Sequence, residues 1–397
     1  MVYTNRIKLP FTEKALLVLL CMSIAPELVR FFRAIVMRLP GLDDITYYSD
    51  IILFTGVTLF ALPAFIKRCK FPDFFFVFLI YFIYALTYLF FPENDRGLDF
   101  YLLPFLFKVV PAYFIGRVIN FNCCKEIFYK VSIAAIVLSA FYYLFFARMK
   151  YGSMESNEEV MSAAYALLPN ILLVLWKTFE NPNVVNIPIV LLSFFLLLSF
   201  GTRGPVVCLV LFIFFYFVLI KQWKKKFYIL GTITLVTFFL IYYIDFILFF
   251  LYDLMSSVGV STRIIDLFSN EDIFVSQGRE DLNDIVLRKI RESNGAPYGI
   301  AALSRWTDTY PHNLALQLWL EFGVLPGSVL LLSFLALMIV SYFKSKVISE
   351  RTFLLILFTL GFVHLFLSHT YLTVPHTFIL VGYSVNLIIH YKKKIAK

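Results

Sequence analysis

The sequence predicts an all-α fold, a polytopic transmembrane helix bundle with about 12 spans and one long, partly helical outer loop. Three observations support this fold class. Of the 397 residues, 60% are hydrophobic and 15% are charged. Apolar runs long enough to cross a bilayer recur along the chain, and the segments between them alternate in charge.

The composition excludes an ordinary soluble domain, in which about a quarter of the residues are charged. A chain with 47 Phe would expose more apolar surface than water tolerates. The net charge of +9 follows the loops between apolar runs, so no nucleic-acid partner is expected. The five cysteines show no CxxC or Cys/His spacing, which predicts neither a disulfide framework nor a zinc site.

A spanning helix needs about 20 mostly apolar residues. Runs 184–200 and 205–220 are slightly short, and the first run is broken by Pro26. We expect residues 1–397 to form a single integral membrane domain. The predicted spans are 13–37, 46–66, 71–91, 98–119, 126–146, 160–178, 184–200, 205–220, 227–250, 324–343, 352–370 and 373–390.

The distribution of basic residues predicts the orientation of these spans. With the N-terminus in the cytoplasm, the inner segments hold 21 Lys and Arg residues and the outer segments hold 13. Six of those 13 lie in one long loop, where the positive-inside bias is weak. Acidic residues in the short loops show the opposite bias, so both termini are expected in the cytoplasm.

Residues 251–311 form the long outer loop, inserted between predicted spans 9 and 10. Connections of this length are usually functional or disordered. Residues 279–293 have the pattern of an amphipathic helix, and Asn294-Gly295 supplies a stop signal. The loop is therefore expected to be partly folded.

The first candidate site is the segment 201–205, Gly-Thr-Arg-Gly-Pro, at the outer ends of two apolar runs. Pro205 suits the first turn of a helix, so free N–H groups would point outward and attract an anion. Arg203 adds a guanidinium suited to bidentate phosphate contact. The competing interpretation is an arginine that reaches to the lipid headgroups, which is the commoner role for an isolated arginine at a helix end.

The second candidate is a set of arginines in the long loop. Arg263 and Arg279 stand out by their contexts, Ser-Thr-Arg-Ile and Gly-Arg-Glu, whereas Arg288 and Arg291 suit the solvated face of the loop helix. Arg305 completes the set. On charge alone, a surface salt bridge would explain any one of them.

The third candidate is the segment 310–313, Tyr-Pro-His-Asn, followed by an apolar stretch that ends in Glu-Phe-Gly. Asn313, Gln317 and Glu321 are four residues apart, which predicts one polar stripe on a short apolar helix. Polar groups at membrane depth usually mark a site. The alternative, to which we give equal weight, is an interfacial helix whose His312 is merely solvated.

Taken in this order, the three candidates resemble the O-antigen polymerase and O-antigen ligase superfamily of bacterial cell envelopes. The resemblance covers about residues 184–345, and the N-terminal third matches only in being a bundle of spans. The matching segments are Thr202-Arg203-Gly204, Arg263, Gly278-Arg279, Pro297-Tyr298-Gly299, Pro311-His312-Asn313 and Glu321-Phe322-Gly323.

The resemblance implies a glycosyltransferase at the outer face of the bacterial inner membrane. Members of the superfamily take a glycan from undecaprenyl pyrophosphate and transfer it to an acceptor hydroxyl with inversion, without a metal or other cofactor. In a polymerase the acceptor is another lipid-linked repeat unit, and in a ligase it is the lipid A core. A chain-length regulator is a further candidate partner, beside the lipid bilayer itself.

This chemistry assigns roles to the candidate residues. Charge develops on the leaving pyrophosphate, which arginines and a helix N-terminus would stabilise. A histidine that is largely neutral near pH 7 can accept the proton of the acceptor hydroxyl. The expected catalytic residues are His312, Arg279 and Arg203, and the expected substrate-binding residues are Arg263, Asn313, Glu321, Gly204 and Arg305.

Polymerase is the favoured reading, and a ligase is its nearest alternative. A transporter or flippase would also suit twelve spans, but such folds usually show related halves, and no repeat is evident in the sequence. A structural scaffold would leave the outer arginines and His312 unexplained. Convergence of Arg203, Arg279 and His312 on one outward-facing site would favour an enzyme.

Overall fold

The computed structural model describes residues 11–26, 28, 43–142, 157–181, 183, 186–200, 202–220, 249, 252–253, 279–307 and 309–395. Every regular element in these ranges is helical, which confirms the all-α prediction. The helices are α1 Phe11–Ile24, α2 Asp43–Arg68, α3 Phe71–Phe90, α4 Asp95–Pro104, α5 Ala112–Val118, α6 Phe121–Tyr142, α7 Asn157–Glu180, α8 Asn186–Ser199, α9 Arg203–Phe215, α10 Arg279–Glu292, α11 Leu314–Phe322, α12 Val324–Lys344, α13 Ile348–Phe358, α14 His364–Leu367 and α15 Pro375–Ile395.

Short non-α turns join or extend several of these helices. The 3₁₀ turns are Pro92–Asn94 and Ala302–Arg305, and the π-helical turns are Phe105–Val109, Tyr216–Ile220 and Thr359–Val363. Two of the π turns continue helical segments that are long enough to cross a bilayer. Phe105–Val109 leads from α4 towards α5, and Thr359–Val363 joins α13 to α14.

Seven helical segments of the described chain are long and apolar enough to cross a membrane. The prediction of twelve spans is not confirmed. Two further apolar helices, Asn186–Leu198 and Pro375–Ile389, are shorter, and predicted span 227–250 lies outside the described residues except for Phe249. The seven segments are Ile51–Arg68, Phe71–Phe90, Pro92–Val118, Met161–Glu180, Arg203–Ile220, Val324–Lys344 and Ile348–Leu367.

Two further predicted spans are not among the seven. Helix α1 is 14 residues long, short of the predicted 13–37, and residues 29–42 lie outside the described chain. Helix α6 is 22 residues long, but its first half carries Lys125, Glu126 and Lys130. Every 18-residue stretch of this helix contains all three charges, which disfavours it as a span.

The described helices have two ends, which we name after α3. The Lys70 end holds the links at 69–70, 119–120 and 345–347, which line one cavity together. The Asn94 end holds the links at 91–94, 295–301 and 368–374, which are joined by hydrogen bonds. Helix α3 runs from one end to the other over 20 residues, a distance of about 30 Å.

Helices α5 and α15 form a close contact in the core. A Cβ on Gly116 would overlap the carbonyl oxygen of Ile379, and a Cβ on Gly382 would overlap the carbonyl oxygen of Tyr113. Small residues let helix backbones approach closely, which is a common packing mode in membrane proteins because dispersion replaces the hydrophobic effect there.

The described part of the long loop is folded, as the sequence predicts. Helix α10 buries Val286 and Ile290 against Leu316 and Leu320 of α11, in a small cluster separate from the main core. Asn294 and Gly295 end α10 with φ angles of 53° and 78°. The loop helix therefore lies on α11 and orients it.

Candidate functional site

Helix α11 is held at both of its ends. Asn313 is its N-cap, and the side-chain oxygen accepts hydrogen bonds from the N–H groups of Ala315 at 3.0 Å and Leu316 at 3.3 Å. This refines the predicted polar stripe, because Asn313 lies before the helix and only Gln317 and Glu321 lie on it. The cap fixes the chain immediately after His312.

The C-terminal turn of α11 is closed by the Pro-Tyr-Gly segment at 297–299. The N–H groups of Tyr298 and Gly299 donate to the carbonyl oxygens of Leu320 and Glu321, both at 2.9 Å. Those carbonyls would otherwise lack partners at a helix end. The segment that the sequence analysis matched to a family motif therefore has a structural role here.

Arg305 connects the same segment to the 3₁₀ turn after α3. Its guanidinium donates to the side-chain oxygen of Asn94 and to the carbonyl oxygen of Tyr298, the latter at 2.8 Å, and lies 3.4 Å from the Glu93 carboxylate. Asn94 is fully buried and donates to the carbonyl oxygens of Tyr298 and Ile300, both at 2.9 Å. Arg305, predicted to bind substrate, is thus placed among protein partners that hold the loop.

Glu321 forms a buried network beneath the loop, which we call the Glu321 network. Its carboxylate accepts hydrogen bonds from the Tyr371 hydroxyl at 2.5 Å, the Gln317 side-chain amide at 3.0 Å and the Ala301 N–H at 3.1 Å. Gln317 also donates to the Thr370 hydroxyl at 2.7 Å. Glu321 is 3% exposed, and burial raises the pKa of its carboxyl to about 7 although all three donors act to lower it.

A second assembly at the Asn94 end consists of stacked rings, and we call it the ring cluster: Tyr165, His364, His369, Tyr310 and His312. The rings of Tyr310 and His312 lie 4.7 Å apart, and Tyr310 stacks on His369 at 6.2 Å. His369 contacts Tyr165 at 5.3 Å, and Tyr165 stacks on His364 at 3.8 Å. The three other steps lie within the range of about 4.5–7 Å typical of favourable aromatic pairs, and the Tyr165–His364 stack is closer.

The ring cluster has an accessible side and a buried side. Tyr310, His312 and His369 are partly exposed, whereas Tyr165 and His364 are each 6% exposed. His369 has a φ of 63°, which is uncommon for a residue with a side chain and occurs where the surrounding structure holds it. The accessible groups are therefore two imidazoles and a phenol on a rigid base.

The Arg203-Gly204 segment reaches the same cluster. Gly204 lies in the first turn of α9, and a Cβ there would overlap the hydroxyl of Tyr165. Because Tyr165 is held by stacking on His364 and by an edge contact with His369, only glycine lets the N-terminus of α9 approach so closely. Arg203, the first residue of α9, is partly exposed. Two of the three sequence candidates, Arg203-Gly204 and His312, are thus joined through Tyr165, His369 and Tyr310.

The remaining predicted arginines are less informative. Arg263 lies outside the described residues, and Arg279 begins α10 without a described side chain. Their positions relative to the ring cluster therefore stay predictions.

Tyr165, His364 and His369 were not predicted from the sequence to be site residues, and His369 was expected to have a structural or interfacial role. Three of the five histidines lie between positions 364 and 376, within or beside predicted spans, and that density was the available signal. Among the described residues no group of three His, Cys, Asp or Glu side chains has the geometry to hold a metal ion.

No protein family, curated protein or solved structure matches this chain. The chemistry of the Asn94 end is therefore argued from its own geometry.

Proposed function

We propose that this protein is a polysaccharide polymerase that transfers a glycan from undecaprenyl pyrophosphate to a lipid-linked repeat unit. The observation that supports this is the series of ring contacts, through Tyr165, His369 and Tyr310, that links the α9 N-terminus to His312 at one end of a membrane helix bundle. The α9 N-terminus with Arg203 suits an anionic leaving group, and His312 suits an acceptor hydroxyl. A transferase needs both.

The proposed reaction is a single inverting displacement. The acceptor hydroxyl oxygen attacks the anomeric carbon, the bond from that carbon to the pyrophosphate oxygen breaks, and the hydroxyl proton passes to His312. The lipid pyrophosphate leaves with the bonding electron pair. Arg203 and the N–H groups of α9 would stabilise the charge that develops on it.

In this proposal Arg263 and Arg279 complete the pyrophosphate site. Asn313, Glu321 and Arg305 are positioning residues, because their contacts hold α11 and the loop that precedes His312. His369 is added to the site as the imidazole that joins the two halves of the cluster through Tyr165 and Tyr310.

The deciding experiment is glycan profiling of a deletion strain complemented with wild type or with His312→Ala. Under this proposal the deletion leaves a core with a single repeat unit, and His312→Ala does not restore polymer. A bare core with lipid-linked polymer accumulating would instead assign a ligase. Repeat units trapped at the cytoplasmic face would assign a flippase, and full polymer from His312→Ala would remove that residue from the site.

Arg203→Lys tests the pyrophosphate contact. It keeps the charge but loses the planar fork, so we expect polymer formation to fall about 10-fold or more. Arg288→Lys, the same change on α10, is the matched control and should keep wild-type activity. Equal activity in the two variants would contradict bidentate phosphate binding by Arg203.

We also propose that the whole chain crosses the bilayer about twelve times, with both termini in the cytoplasm and the Asn94 end outside. Cys123 is exposed at the Lys70 end, and Ala296 is exposed at the Asn94 end. A membrane-impermeant maleimide should label Ala296→Cys in cells whose inner membrane is intact, and Cys123 only after that membrane is lysed. The reverse pattern would overturn this orientation.

A further inference from the structure

The Lys70 end contains a cavity of about 1130 Å³ on the opposite side of the bundle from the ring cluster. Among the described residues, its ionisable lining apart from Cys and Tyr is six cations and one carboxylate, that of Glu350. Glu350 accepts hydrogen bonds from Asn122 at 3.2 Å and Ser345 at 3.1 Å. The cationic residues are Lys67, Arg68, Lys70, Arg117, Lys344 and Lys346.

Four of these cations have an evident local role. Lys67, Arg68, Arg117 and Lys344 lie in the last turns of helices, where positive charge offsets the helix dipole. Arg117 is also paired with the buried Asp73 carboxylate through contacts of 2.5 Å and 3.1 Å. Their presence alone does not require a ligand.

Lys70 and Lys346 are different. Lys70 is the N-cap of α3, and Lys346 lies two residues before α13 begins at Ile348. A cation beside a helix N-terminus is unfavourable, because that end carries a partial positive charge. Both lysines are exposed. The first-turn carboxylates Asp73 of α3 and Glu350 of α13 offset part of this positive charge, and an anion between the two lysines would offset more of it.

Two helix N-termini also open into the cavity. Residues 120–124, around the start of α6, and Val347, the N-cap of α13, belong to its lining. Neither helix is short, at 22 and 11 residues, and α13 has no side-chain cap bond. Backbone N–H groups at such ends favour a phosphate or carboxylate.

A buried tyrosine gives an independent indication of a ligand. Tyr383 lines the cavity, is 1% exposed, and its hydroxyl has no hydrogen-bond partner among the described residues. Buried polar groups without a partner are costly and rare. An anion in the cavity would accept a hydrogen bond from this hydroxyl.

The cavity lining also contains apolar side chains, among them Leu16, Leu20, Leu387 and Ile389. A lining that combines basic and apolar side chains suits a phosphate headgroup followed by acyl chains. We propose that this cavity binds the phosphate group of an anionic phospholipid, between Lys70, Lys346, the Tyr383 hydroxyl and the N-termini of α6 and α13. The site is separate from the ring cluster and does not rest on the proposed polymerase activity.

The test is native mass spectrometry of the full chain in detergent, titrated with dioleoyl-phosphatidylglycerol or with dioleoyl-phosphatidylcholine. The acyl chains are identical, so any preference reports the headgroup. Wild type should prefer phosphatidylglycerol, and Lys70→Gln/Lys346→Gln should weaken that binding roughly 10-fold or more. The control Lys125→Gln/Lys130→Gln removes the same charge from α6, outside the cavity lining, and should bind as wild type.

Tyr383→Phe is the second variant, for the case in which the double variant does not fold. It removes only the hydroxyl oxygen and keeps the packed ring, so it should fold. It should weaken phosphatidylglycerol binding by roughly 10-fold. Displacement of phosphatidylglycerol by millimolar inorganic phosphate would assign the site to a soluble phosphate, and resistance to it would assign the site to a lipid. Equal binding of the two lipids, or an equal loss in the control variant, would overturn the proposal.

Discussion

The ring cluster and the Glu321 network lie side by side at the Asn94 end, joined by the short segment 368–371. The ring cluster has two imidazoles and a phenol that are partly exposed, whereas the Glu321 carboxylate is buried and surrounded by protein donors. Both contain ionisable groups that the sequence marks as candidates. They differ in exposure and in hydrogen-bond partners, and under the proposed function the ring cluster carries the reaction chemistry while the Glu321 network positions it.

The largest expected effect is that of His312→Ala, at the accessible side of the ring cluster. Loss of a general base typically lowers a rate by about 100- to 10,000-fold. Transfer by the purified chain to a lipid-linked acceptor measures this loss. Thermal stability in detergent should stay near that of wild type, because His312 is partly exposed. A variant that loses stability and activity together would move His312 to the positioning group.

Gly204→Ala tests whether the ring cluster and the α9 N-terminus act as one site. The added methyl would overlap the Tyr165 hydroxyl and shift it against the two histidines, and a displacement of about 1 Å can cost about 100-fold in rate. Gly56→Ala is the matched control, because a Cβ there meets nothing within 4 Å. Equal activity of the two variants would separate the two halves of the site.

Glu321→Gln should lower the stability of the fold more than it lowers the rate of transfer. The substitution replaces one acceptor oxygen with an N–H donor, so a buried donor from Tyr371, Gln317 or Ala301 loses its partner, at about 1–3 kcal/mol. A lower melting temperature in detergent would show this. Asp284→Asn, at an exposed carboxylate in the middle of α10, is the control and should leave that temperature unchanged.

The smallest expected effect is on the pH dependence of stability. The pKa of Glu321 is raised by burial from 4.5 to about 7, so the folded protein binds more protons than the unfolded chain between these values. This contribution to stability is complete below pH 4.5 and is lost as the pH rises through about 7. Melting temperatures measured across that window should fall less in Glu321→Gln than in wild type. If the melting temperatures of the two proteins fall with the same slope, the pH dependence is caused by another group.

Local signals were read correctly from the sequence. Asn294-Gly295 ends α10, Gly323 ends α11, and Pro205 lies in the first turn of α9. Each depends on the backbone preferences of residues next to it in the chain, so no tertiary information is needed. Arg305 and the Pro-Tyr-Gly segment could not be understood that way, because their partner Asn94 lies about two hundred residues away.

The sequence by itself determined a helical membrane protein with recurrent apolar runs, a partly helical loop and polar groups gathered near Arg203 and His312. Composition and short-range pattern carry that information, because the bilayer forces each span to satisfy its own backbone hydrogen bonds. Only the tertiary structure decided that Tyr165 and His369 join Arg203-Gly204 to His312, and that Glu321 is buried while His312 is accessible. Those properties depend on contacts between helices distant in the chain, which local preferences do not encode.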